Sequence, residues 1–389
     1  MQQKIAIVVE PDFLRLHVGV RTYLLALHAL LSREHRVDWI AFEREPGGER
    51  RWFHLFPRPE AGPDEQATET VLQGRPEEVF RSAAGISGDA PAGRADCWRT
   101  GIGSDLAMEG YDSIIIGNPW LVDFESRLPA CRVLGVVYDL VPNQYVFAMP
   151  GPHKPFAFAG AHRRGFVHYR DHCDAVLAIS PRAADDYARA FGVDHARVVA
   201  LPPVLPASYD TAARARNERP PRVVLASPFD RRKGLAVMPA ILNAAAEAID
   251  TVSIYGGVRC SNRDLKDFFR ALQVRHVEWF PQASAATVHR LFLESKALLF
   301  PSFDEGLGLP VLEAQRCGCR VMIRDKPPMR DLAGPGSVFL PADEAAAGAE
   351  FARMVNEPFD HAGLQDWARA GFGGRRVLDA VNAVLSRPP

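Results

Sequence analysis

The stretch from Lys296 to Met322, KALLFPSFDEGLGLPVLEAQRCGCRVM, most constrains the fold of this chain. It begins with a short apolar run, Ala297–Phe300, of the kind that fills a strand buried on both faces, and a second such run follows at Arg320–Ile323. Between the runs, Gly306 and Gly308 allow the backbone to turn tightly and to approach a ligand closely. The pattern predicts two parallel strands joined through a glycine loop and a helix.

The loop and the helix carry two carboxylates. Pro310 suits the first turn of a helix and Gly318 ends one, so Glu305 lies just before the helix and Glu313 lies in its first turns. We expect both at the carboxyl edge of the sheet, where open α/β sheets bind ligands and a helix N-terminus attracts phosphate. A carboxylate accepts paired sugar hydroxyls, and the amides of Leu307–Leu309 suit phosphate or sugar oxygens. Either glutamate alone is more simply explained as a solvated loop acid or a helix-start acid.

Taken together, the residues of this segment resemble the E-x7-E signature of retaining GT-B glycosyltransferases of family 4. The matching positions are Ser302, Glu305, Gly306, Gly308, Leu309, Pro310, Glu313, Ala314 and Gly318. The resemblance implies that Glu313 binds ribose hydroxyls of a nucleoside-diphosphate sugar, that Glu305 binds hydroxyls of the sugar, and that Gly306 to Leu309 contact the same donor. It also implies that no protein nucleophile is needed, because in that family the departing phosphate takes the acceptor proton.

Length and composition agree with a cytoplasmic enzyme of two domains. A chain of 389 residues is long for one core and natural for two α/β domains. A net charge of −1 provides no overall field that would recruit nucleic acid or anionic lipid. The apolar runs are shorter than the roughly 20 residues that span a bilayer. The six cysteines are scattered, which suits reduced thiols, and Cys317-Gly-Cys319 lacks the further ligands of a metal site.

The N-terminal half begins with an apolar run, Lys4–Val9, which predicts a buried parallel strand. The loop after it lacks G-x-G-x-x-G, which disfavours an NAD or FAD enzyme. The next helix resembles the one that follows the glycine pair of the same family, with Val18 in place of the first glycine and Gly19 matching the second. The resemblance implies that Gly19 lies close to the donor phosphate, and we assign Arg21 on this helix to the acceptor side.

A second segment of the N-terminal half, Tyr138-Asp-Leu-Val-Pro142, follows a predicted strand. It resembles the H-D-L-x-P or Y-D-L-I-P element of the family, the second form being common in bacterial mannosyl- and rhamnosyltransferases. The resemblance makes Asp139 a candidate catalytic residue and places Tyr138 on the acceptor side, together with Asn118 at the end of the preceding strand. The alternative is that Asp139 only caps a turn before Pro142.

Two stretches of the N-terminal half show weaker patterns. Residues 43–103 are rich in Pro, Gly, Glu and Arg, so we predict variable surface structure there with one helix near Pro76–Ala84. Four histidines follow in a helical region, and we interpret them as solvated or core residues rather than as metal ligands; nearby basic residues suit an anionic acceptor. The histidines are His153, His162, His168 and His172, and the basic residues are Lys154, Arg163 and Arg164.

The second half begins after a proline-rich linker, Pro202–Pro221, with the apolar run Arg222–Ala226. A basic cluster, Arg231-Arg232-Lys233, follows at a strand-to-helix turn and predicts a pyrophosphate clamp. Lys233-Gly234 matches the K-G of the family's G-R-L-x-x-x-K-G element. The family arginine falls on Pro228, which is a departure from the family pattern, and Arg231 and Arg232 are the candidates to supply that charge from a shifted position.

Further donor-binding positions implied by the resemblance are Gly257, in a glycine turn after a strand, and Gln282, whose backbone lies where relatives contact the base. We therefore predict an α/β protein with GT-B architecture, in which two Rossmann-like domains face each other across a cleft. Residues 1–205 would form the acceptor-side domain and 206–371 the donor domain, with a C-terminal helix, about 372–389, returning to the first. The chain contains no Asp-x-Asp, and we predict neither a metal nor a cofactor, because the nucleotide sugar is a substrate.

The expected activity is retaining transfer of a hexose to a glycan or lipid-linked acceptor in cell-surface polysaccharide synthesis, such as lipopolysaccharide. The segment at Tyr138 favours GDP-mannose as the donor, followed by dTDP-rhamnose and UDP-glucose. A lipid-linked acceptor would bring the protein into peripheral contact with the inner membrane, and nucleic acid is not expected as a partner. The alternatives are an inactive scaffold of a glycan assembly complex, suggested by the departures at Val18, Tyr138 and Pro228, and a nucleotide-sugar epimerase.

Overall fold

The computed structural model of the chain describes residues 2–13, 18–44, 46, 49–57, 69–83, 97–103, 108, 110–121, 131–144, 155–209 and 214–387. The chain divides into two compact units. The first comprises Met1–Gly62, Gly93–Ala207 and Phe372–Pro389, and the second comprises Pro63–Ala92 and Ser208–Gly371. Both units are α/β, as predicted from the alternation of apolar runs and helical segments.

The first unit is built on a sheet of eight described strands. These are β1 (Lys4–Val8), β2 (Arg36–Arg44), β3 (Arg50–Pro57), β5 (Cys97–Gly103), β6 (Ser113–Ile116), β7 (Arg132–Val137), β8 (Ala175–Ala178) and β9 (Val198–Ala200). Their order is β5-β3-β2-β1-β6-β7-β8-β9. The strands from β2 to β9 in that order are parallel, whereas β3 pairs antiparallel with both β2 and β5.

Five described helices belong to the first unit: α1 (Val18–Leu31), α3 (Val141–Gln144), α4 (Pro155–His172), α5 (Pro181–Phe191) and α12 (Gly374–Leu385). The start and end of α5 follow from local sequence. Ser180 accepts a hydrogen bond from the amide of Ala183, and Gly192 ends the helix in the left-handed region at φ 64°. Tyr169 of α4 and Tyr187 of α5 pack beneath the sheet in one apolar core.

The C-terminal helix α12 packs on α1. Asn382 and His35 lie 2.7 Å apart through Oδ1 and Nε2, and the guanidinium of Arg132 donates to the carbonyl of Val384. A Cβ added to Gly374 would stand 2.4 Å from the side chain of Leu30. These contacts account for the membership of residues 372–389 in the first unit.

The second unit is built on a sheet of seven described strands. These are β4 (Leu72–Gly74), β10 (Arg222–Ala226), β11 (Thr251–Tyr255), β12 (His276–Phe280), β13 (Ala297–Phe300), β14 (Arg320–Ile323) and β15 (Val338–Phe339). Their order is β15-β14-β13-β10-β11-β12-β4, and all neighbours are parallel except β4, which is antiparallel to β12. The described helices are α2 (Pro76–Ala83), α6 (Met238–Ala244), α7 (Asn262–Ala271), α8 (Ala285–Glu294), α9 (Leu309–Arg316), α10 (Glu344–Asn356) and α11 (His361–Gly371).

The expectation that residues 43–103 form variable surface structure with one helix is wrong for the described parts of that region. β3 and β5 extend the first sheet, and β4 adds an edge strand to the second. Glu69, just before β4, links this segment to the rest of the second unit. Its carboxylate accepts hydrogen bonds from the amide of Ser284 and from the hydroxyl of Thr287, each at 2.6 Å. The helix expected near Pro76–Ala84 is present as α2, whose Val79 is fully buried in the core of the second unit. Sequence periodicity failed here because antiparallel strands such as β3, and edge strands such as β4 and β5, can leave one face in water and then lack an uninterrupted apolar run.

Two further helices, α7 and α11, lie in stretches for which the sequence analysis predicted no element. His153 and Lys154 lie outside the described residues. No helix among the described residues is long and apolar enough to cross a membrane.

The packing of Gly165 on α4 against Pro119 yields a stability prediction. A Cβ added to Gly165 would stand 1.7 Å from the carbonyl oxygen of Pro119, so Gly165→Ala should destabilise the protein by about 3 kcal/mol. Gly160→Ala is the matched control on the same helix, because its Cβ would meet only the end of Arg164, at 3.5 Å. That change should stabilise by up to about 1 kcal/mol, since alanine is the better helix former. Urea unfolding measures both, and equal effects would contradict the packing described here.

Candidate active site

A buried ion pair lies at the carboxyl edge of the second sheet. Lys233 Nζ and Glu305 Oε1 are 2.5 Å apart, and each side chain is 11% exposed. The same carboxylate oxygen lies 3.1 Å from Arg232 Nη1 and accepts a 2.6 Å hydrogen bond from the Ser302 hydroxyl. Lys233 Nζ also lies 4.7 Å from the ring centre of Phe300, the last residue of β13. A second carboxylate, Asp230, lies 3.8 Å from Arg232 Nη2, so two cations face two carboxylates at this edge.

The fold brings these groups together because β10 and β13 are parallel neighbours, so the loops that leave their carboxyl ends adjoin. The two loops are also hydrogen bonded, since the amide of Phe303 donates to the carbonyl of Arg232 at 2.9 Å. Gly234 has φ 83°, and a Cβ there would stand 2.6 Å from the carbonyl oxygen of Pro301. The position after Lys233 therefore requires glycine for both its conformation and its contact.

The ionisation of Glu305 follows from this environment. Burial opposes the charged carboxylate, but Lys233 and Arg232 outweigh burial, with help from the hydroxyl of Ser302. The pKa of Glu305 consequently lies below its ordinary value. Glu305 is ionised at neutral pH and available as an acceptor of hydroxyl hydrogen bonds.

Glu313 lies in a different environment on α9. Burial raises its pKa to about 7, and a hydrogen bond from the hydroxyl of Tyr209 acts in the opposite direction. The hydroxyl of Tyr255, at the end of β11, is buried without a hydrogen-bond partner among the described residues and interacts electrostatically with both glutamates. The two carboxylates of the loop and helix therefore differ in charge near neutral pH, although both were predicted from one motif.

The glycine loop turns into α9 at Gly308, which precedes the helix with φ 84°. Pro310 is the second helical residue, and Leu307 is buried at 4% exposure. Gly318, with φ 70°, lies just beyond the last turn. Glu305, Gly306, Leu307, Gly308, Leu309 and Glu313 thus occupy one continuous loop and helix start, as the spacing predicted.

The other predicted donor positions differ in their surroundings. Arg231 forms a bidentate pair with Asp264, at 2.9 and 3.1 Å, and its side chain is 56% exposed, so it does not join the cluster at Glu305. Arg232 is the arginine that supplies the charge beside Lys233. Gln282 is exposed just after β12, and a Cβ on Gly257 would stand 4.0 Å from the carbonyl of Pro281.

In the first unit, the residues around Tyr138 are engaged in structural contacts. The buried hydroxyl of Tyr138 donates to the carbonyl of Gly117 at 2.8 Å, and burial raises its pKa well above the ordinary value. Asp139 accepts from the amide of Val141 at 3.0 Å, which is the turn-capping contact considered above as the alternative to catalysis. The amide side chain of Asn118 donates to Glu10 at 3.3 Å.

Gly19 and Arg21 lie in the first turns of α1, with Gly19 exposed and Arg21 half-buried. A Cβ added to Gly19 would meet nothing within 4 Å, so no described contact requires glycine at this position.

Several functional candidates were missed by sequence reasoning. Tyr209 and Tyr255 come from distant parts of the chain and interact electrostatically with Glu313, and no local pattern marks either of them. Glu10 was also missed, although an acid just after the first buried strand is a recognisable signal. Its carboxylate accepts from the indole of Trp120 at 2.7 Å, and burial raises its pKa.

The histidines described in the structure do not form a metal centre. Burial lowers the pKa of His162 to about 3, and this ring packs at 4.4 Å from Phe166. His168 and His172 lie beside each other, with ring centres 4.5 Å apart. Within the described parts of the chain, no group of three or more His, Cys, Asp or Glu residues is arranged to hold a metal ion.

Comparisons with known proteins agree with this architecture. The sequence profile of the family "Glycosyl transferases group 1" matches residues 212–369. The chain is similar to a D-inositol 3-phosphate glycosyltransferase from Streptomyces bingchenggensis strain BCW-1, with 25% identity over 169 residues. That alignment covers 38% of this chain and 37% of the relative, so it spans about a third of the relative's length.

Solved structures of similar fold superpose on nearly the whole chain. HepE from Anabaena, solved in complex with UDP-glucose, superposes with a TM-score of 0.62 at 12% identity, covering 99% of this chain and 100% of HepE. A sucrose-phosphate synthase from Thermosynechococcus elongatus superposes with a TM-score of 0.58 at 17% identity, covering 98% of each chain. At these identities the likeness establishes the fold, which is GT-B.

The buried pair at Glu305 yields a test by double-mutant cycle. Lys233→Met should destabilise the protein by about 3 kcal/mol, because it removes one partner of a buried ion pair. Glu305→Gln combined with Lys233→Met should cost less than the sum of the single changes, with a coupling of about 0.5–3 kcal/mol in urea unfolding at pH 7.

Arg353→Met is the control for this cycle. Arg353 pairs with Glu350 and Glu357 on an exposed helix surface, where its side chain is 51% exposed. Its loss should cost less than about 1 kcal/mol. Strictly additive effects at Lys233 and Glu305 would show that the two charges do not stabilise each other.

Proposed function

We propose that the chain is a retaining, metal-independent glycosyltransferase, because residues 212–369 match the profile of the glycosyl transferases group 1 family and the chain has the GT-B fold. It transfers a hexose from a nucleoside-diphosphate sugar to a glycan or lipid-linked acceptor. The observation that carries this proposal is the buried cluster of Lys233, Arg232 and Glu305 at the carboxyl edge of the second sheet.

The cations of this cluster suit the donor diphosphate. Lys233 and Arg232 are held in place by the carboxylates of Glu305 and Asp230, and their N–H groups can also donate to the oxygens of a diphosphate. Charge builds up on the leaving phosphate as the bond to the sugar breaks. Cations held in place by a buried partner stabilise that charge without having to reorganise during the reaction.

The carboxylates match the hydroxyls of the donor. Glu305 is ionised and buried beside the cations, so it can accept hydrogen bonds from sugar hydroxyls close to the reacting carbon. Glu313, on the helix that the glycine loop begins, accepts hydroxyls of the ribose. Retention then follows from attack on the face from which the diphosphate leaves. The bond between the anomeric carbon and the phosphate oxygen breaks, and both of its electrons leave with the phosphate. The acceptor oxygen forms the new bond to that carbon, and its proton passes to an oxygen of the leaving phosphate.

Two observations favour different bases for the nucleotide of the donor. The Tyr138-Asp-Leu-Val-Pro142 segment resembles that of mannosyl- and rhamnosyltransferases and favours GDP-mannose. HepE, whose fold this chain shares, was solved with UDP-glucose, which favours a uridine donor. Lipopolysaccharide or another surface glycan is the acceptor class that the family resemblance supports, with peripheral contact at the inner membrane if the acceptor is lipid-linked.

The donor class is testable by thermal unfolding with excess UDP, GDP, dTDP and NAD in the absence of added metal. A nucleoside diphosphate present at a hundred times its dissociation constant should add about 2.7 kcal/mol to stability. We expect one nucleoside diphosphate to raise the melting temperature and NAD to have no effect. Stabilisation by none of the diphosphates would favour the inactive scaffold instead.

Activity tests the role of the cluster. Glu305→Gln should reduce sugar transfer at least about a hundredfold, because the neutral amide neither balances Lys233 nor accepts sugar hydroxyls in the same way. Glu278→Gln is the matched control, since Glu278 also pairs with an arginine, Arg222, at 3.3 Å and is 18% exposed, but it lies within strand β12. Its transfer rate should stay near that of the wild type. Full activity of Glu305→Gln in a folded protein would refute the assignment.

A further inference from the structure

Three side chains meet at the carboxyl edge of the first sheet. The indole of Trp120 donates to Glu10 Oε1 at 2.7 Å, and the side-chain amide of Asn118 donates to Glu10 Oε2 at 3.3 Å. We infer that Glu10, Asn118 and Trp120 form a binding site for a neutral sugar ring, in which the Glu10 carboxylate accepts hydrogen bonds from sugar hydroxyls. The inference rests on the proposed function where it assigns this sugar to the acceptor, and it adds Glu10 to the residues that select the acceptor.

The order of the strands places these residues where an open α/β sheet binds its ligands. From β1 the chain passes to β2 on one side of β1, and β6 lies on the other side of β1. The direction of winding thus reverses between β1 and β6, and ligand-binding crevices open at the carboxyl ends of the strands at such a reversal. Glu10 follows β1, and Asn118 and Trp120 follow β6, so the three side chains coincide with the reversal.

The backbone holds the three side chains in fixed positions. The amide of Gly117, just after β6, donates to the carbonyl of Val8, the last residue of β1, at 2.8 Å. A Cβ on Gly117 would stand 2.8 Å from the same oxygen, so the close approach of the two strand ends requires glycine. Trp120 lies in the 3₁₀ turn Pro119–Leu121, which packs on α4 at Gly165. The Glu10 carboxylate is consequently oriented before a ligand binds.

The hydrogen-bonding groups of the site suit a ligand that donates from hydroxyls. Both described donors to Glu10 are neutral, so they orient the carboxylate without cancelling its charge. Asn118 is 1% exposed, and its Oδ1 has no hydrogen-bond partner among the described residues. A buried acceptor without a partner is destabilising and favours a bound donor. A carboxylate beside an unpaired amide oxygen therefore suits a ligand with several hydroxyl groups, as a sugar has.

The charge of the site disfavours a phosphate or another anion. Glu10 places a carboxylate at the edge of the first sheet, whereas Lys233 and Arg232 place two cations at the edge of the second. An anionic ligand would be repelled by the carboxylate of Glu10. The two edges thus suit different reactants, a neutral sugar in the first unit and a diphosphate in the second.

Aromatic side chains beside Glu10 suit the apolar face of a sugar ring. The ring centre of Trp120 lies 5.3 Å from that of Phe158 on α4, and Phe158 is 37% exposed. The indole is also stacked on His162, with the planes 21° apart and the ring centres 5.9 Å apart. The C–H groups on one face of a hexose pack against aromatic rings, while its hydroxyls bind polar groups at the edge. An exposed phenylalanine next to an oriented carboxylate fits this pattern.

Sugar binding is measured by NMR on the side-chain indole N–H signals of isotopically labelled protein. The chain has six tryptophans, and the signal of Trp120 is the one that is absent from Trp120→Phe. The probes are the methyl α-glycosides of glucose, mannose and galactose at up to about 100 mM, which detects dissociation constants in the millimolar range. We expect at least one glycoside to shift the Trp120 signal with a saturable dependence on concentration. A wild type whose Trp120 signal responds to none of them overturns the inference.

Glu10→Gln tests the carboxylate itself. The glutamine Oε1 can still accept from the indole of Trp120, so the fold is kept while the negative charge is lost. Binding of the glycoside should weaken at least about tenfold, because hydrogen bonds to a charged acceptor are stronger than those to a neutral one. Unchanged circular dichroism and unchanged indole signals of the other tryptophans establish that the variant is folded. Equal binding by this variant and the wild type would refute the role of Glu10.

Asp38→Asn is the matched control for the sugar titration. Asp38 is another carboxylate of the first sheet that accepts from an aromatic side chain, the hydroxyl of Tyr111 at 3.0 Å, but it lies within strand β2. Its replacement should leave glycoside binding as in the wild type. An equal loss of binding in Asp38→Asn and Glu10→Gln would show a general effect of removing a carboxylate and would also overturn the inference.

Nucleotide binding, measured separately by thermal unfolding, distinguishes the inference from the proposed function. A wild type that is stabilised by a nucleoside diphosphate but binds none of the glycosides overturns the inference alone. A wild type that binds a glycoside through Glu10 but is stabilised by none of the diphosphates overturns the proposed function. The site would then stand as a sugar-binding site, and its assignment to an acceptor would fall.

Discussion

The carboxyl edge of the second sheet depends on one buried carboxylate, that of Glu305, and on the side chains that offset its charge. An uncompensated carboxylate in this position would cost several kcal/mol, so Glu305 is stable only where Lys233, Arg232 and Ser302 surround it. The loops after β10 and β13 must therefore keep their mutual position. Glycine at position 234 makes this approach possible, because a Cβ there would stand 2.6 Å from the carbonyl oxygen of Pro301. The arrangement that holds the fold together at this edge is the same one that prepares it for an anionic ligand.

The two glutamates of the signature show that different surroundings give identical side chains different pKa values. Glu305 lies among cations and is held in the ionised state. Glu313 lies among tyrosines and a cysteine, and burial brings its pKa to about 7. Glu305 is thus charged at neutral pH, whereas the charge of Glu313 is set chiefly by burial and changes with pH around neutrality. A sequence motif specifies the residue types, and the surrounding elements decide the protonation state of each.

In the first unit, the polar side chains predicted for the acceptor side form structural hydrogen bonds. Tyr138, Asp139 and Asn118 each satisfy a partner within the unit, through Gly117, Val141 and Glu10 respectively. These contacts stabilise the turns that leave the carboxyl ends of β6 and β7. The residue types of this segment therefore have a sufficient structural cause, and the acceptor-side assignment of these residues stays a prediction.

Sequence reasoning predicted most of the parallel strands and helices of both units, because strands buried on both faces read as uninterrupted apolar runs and helices carry caps and glycine ends. It missed β3, β4 and β5, since antiparallel and edge strands lack a continuous apolar pattern. It also placed the stretch that forms β4 and α2 in the first half, whereas these elements join the second unit through tertiary contacts such as those of Glu69.

For the site, the sequence by itself determined the glycine loop, the two glutamates and Lys233, because the spacing of these residues is local. Only the tertiary structure decided that Arg232 rather than Arg231 stands beside Glu305, since the two adjacent arginines are distinguished by distant partners, Asp264 in one case and Glu305 in the other. It likewise brought Tyr209 and Tyr255 to Glu313 from separate segments. Contacts between residues far apart in the chain depend on the order of strands in the sheet, and no local pattern encodes that order.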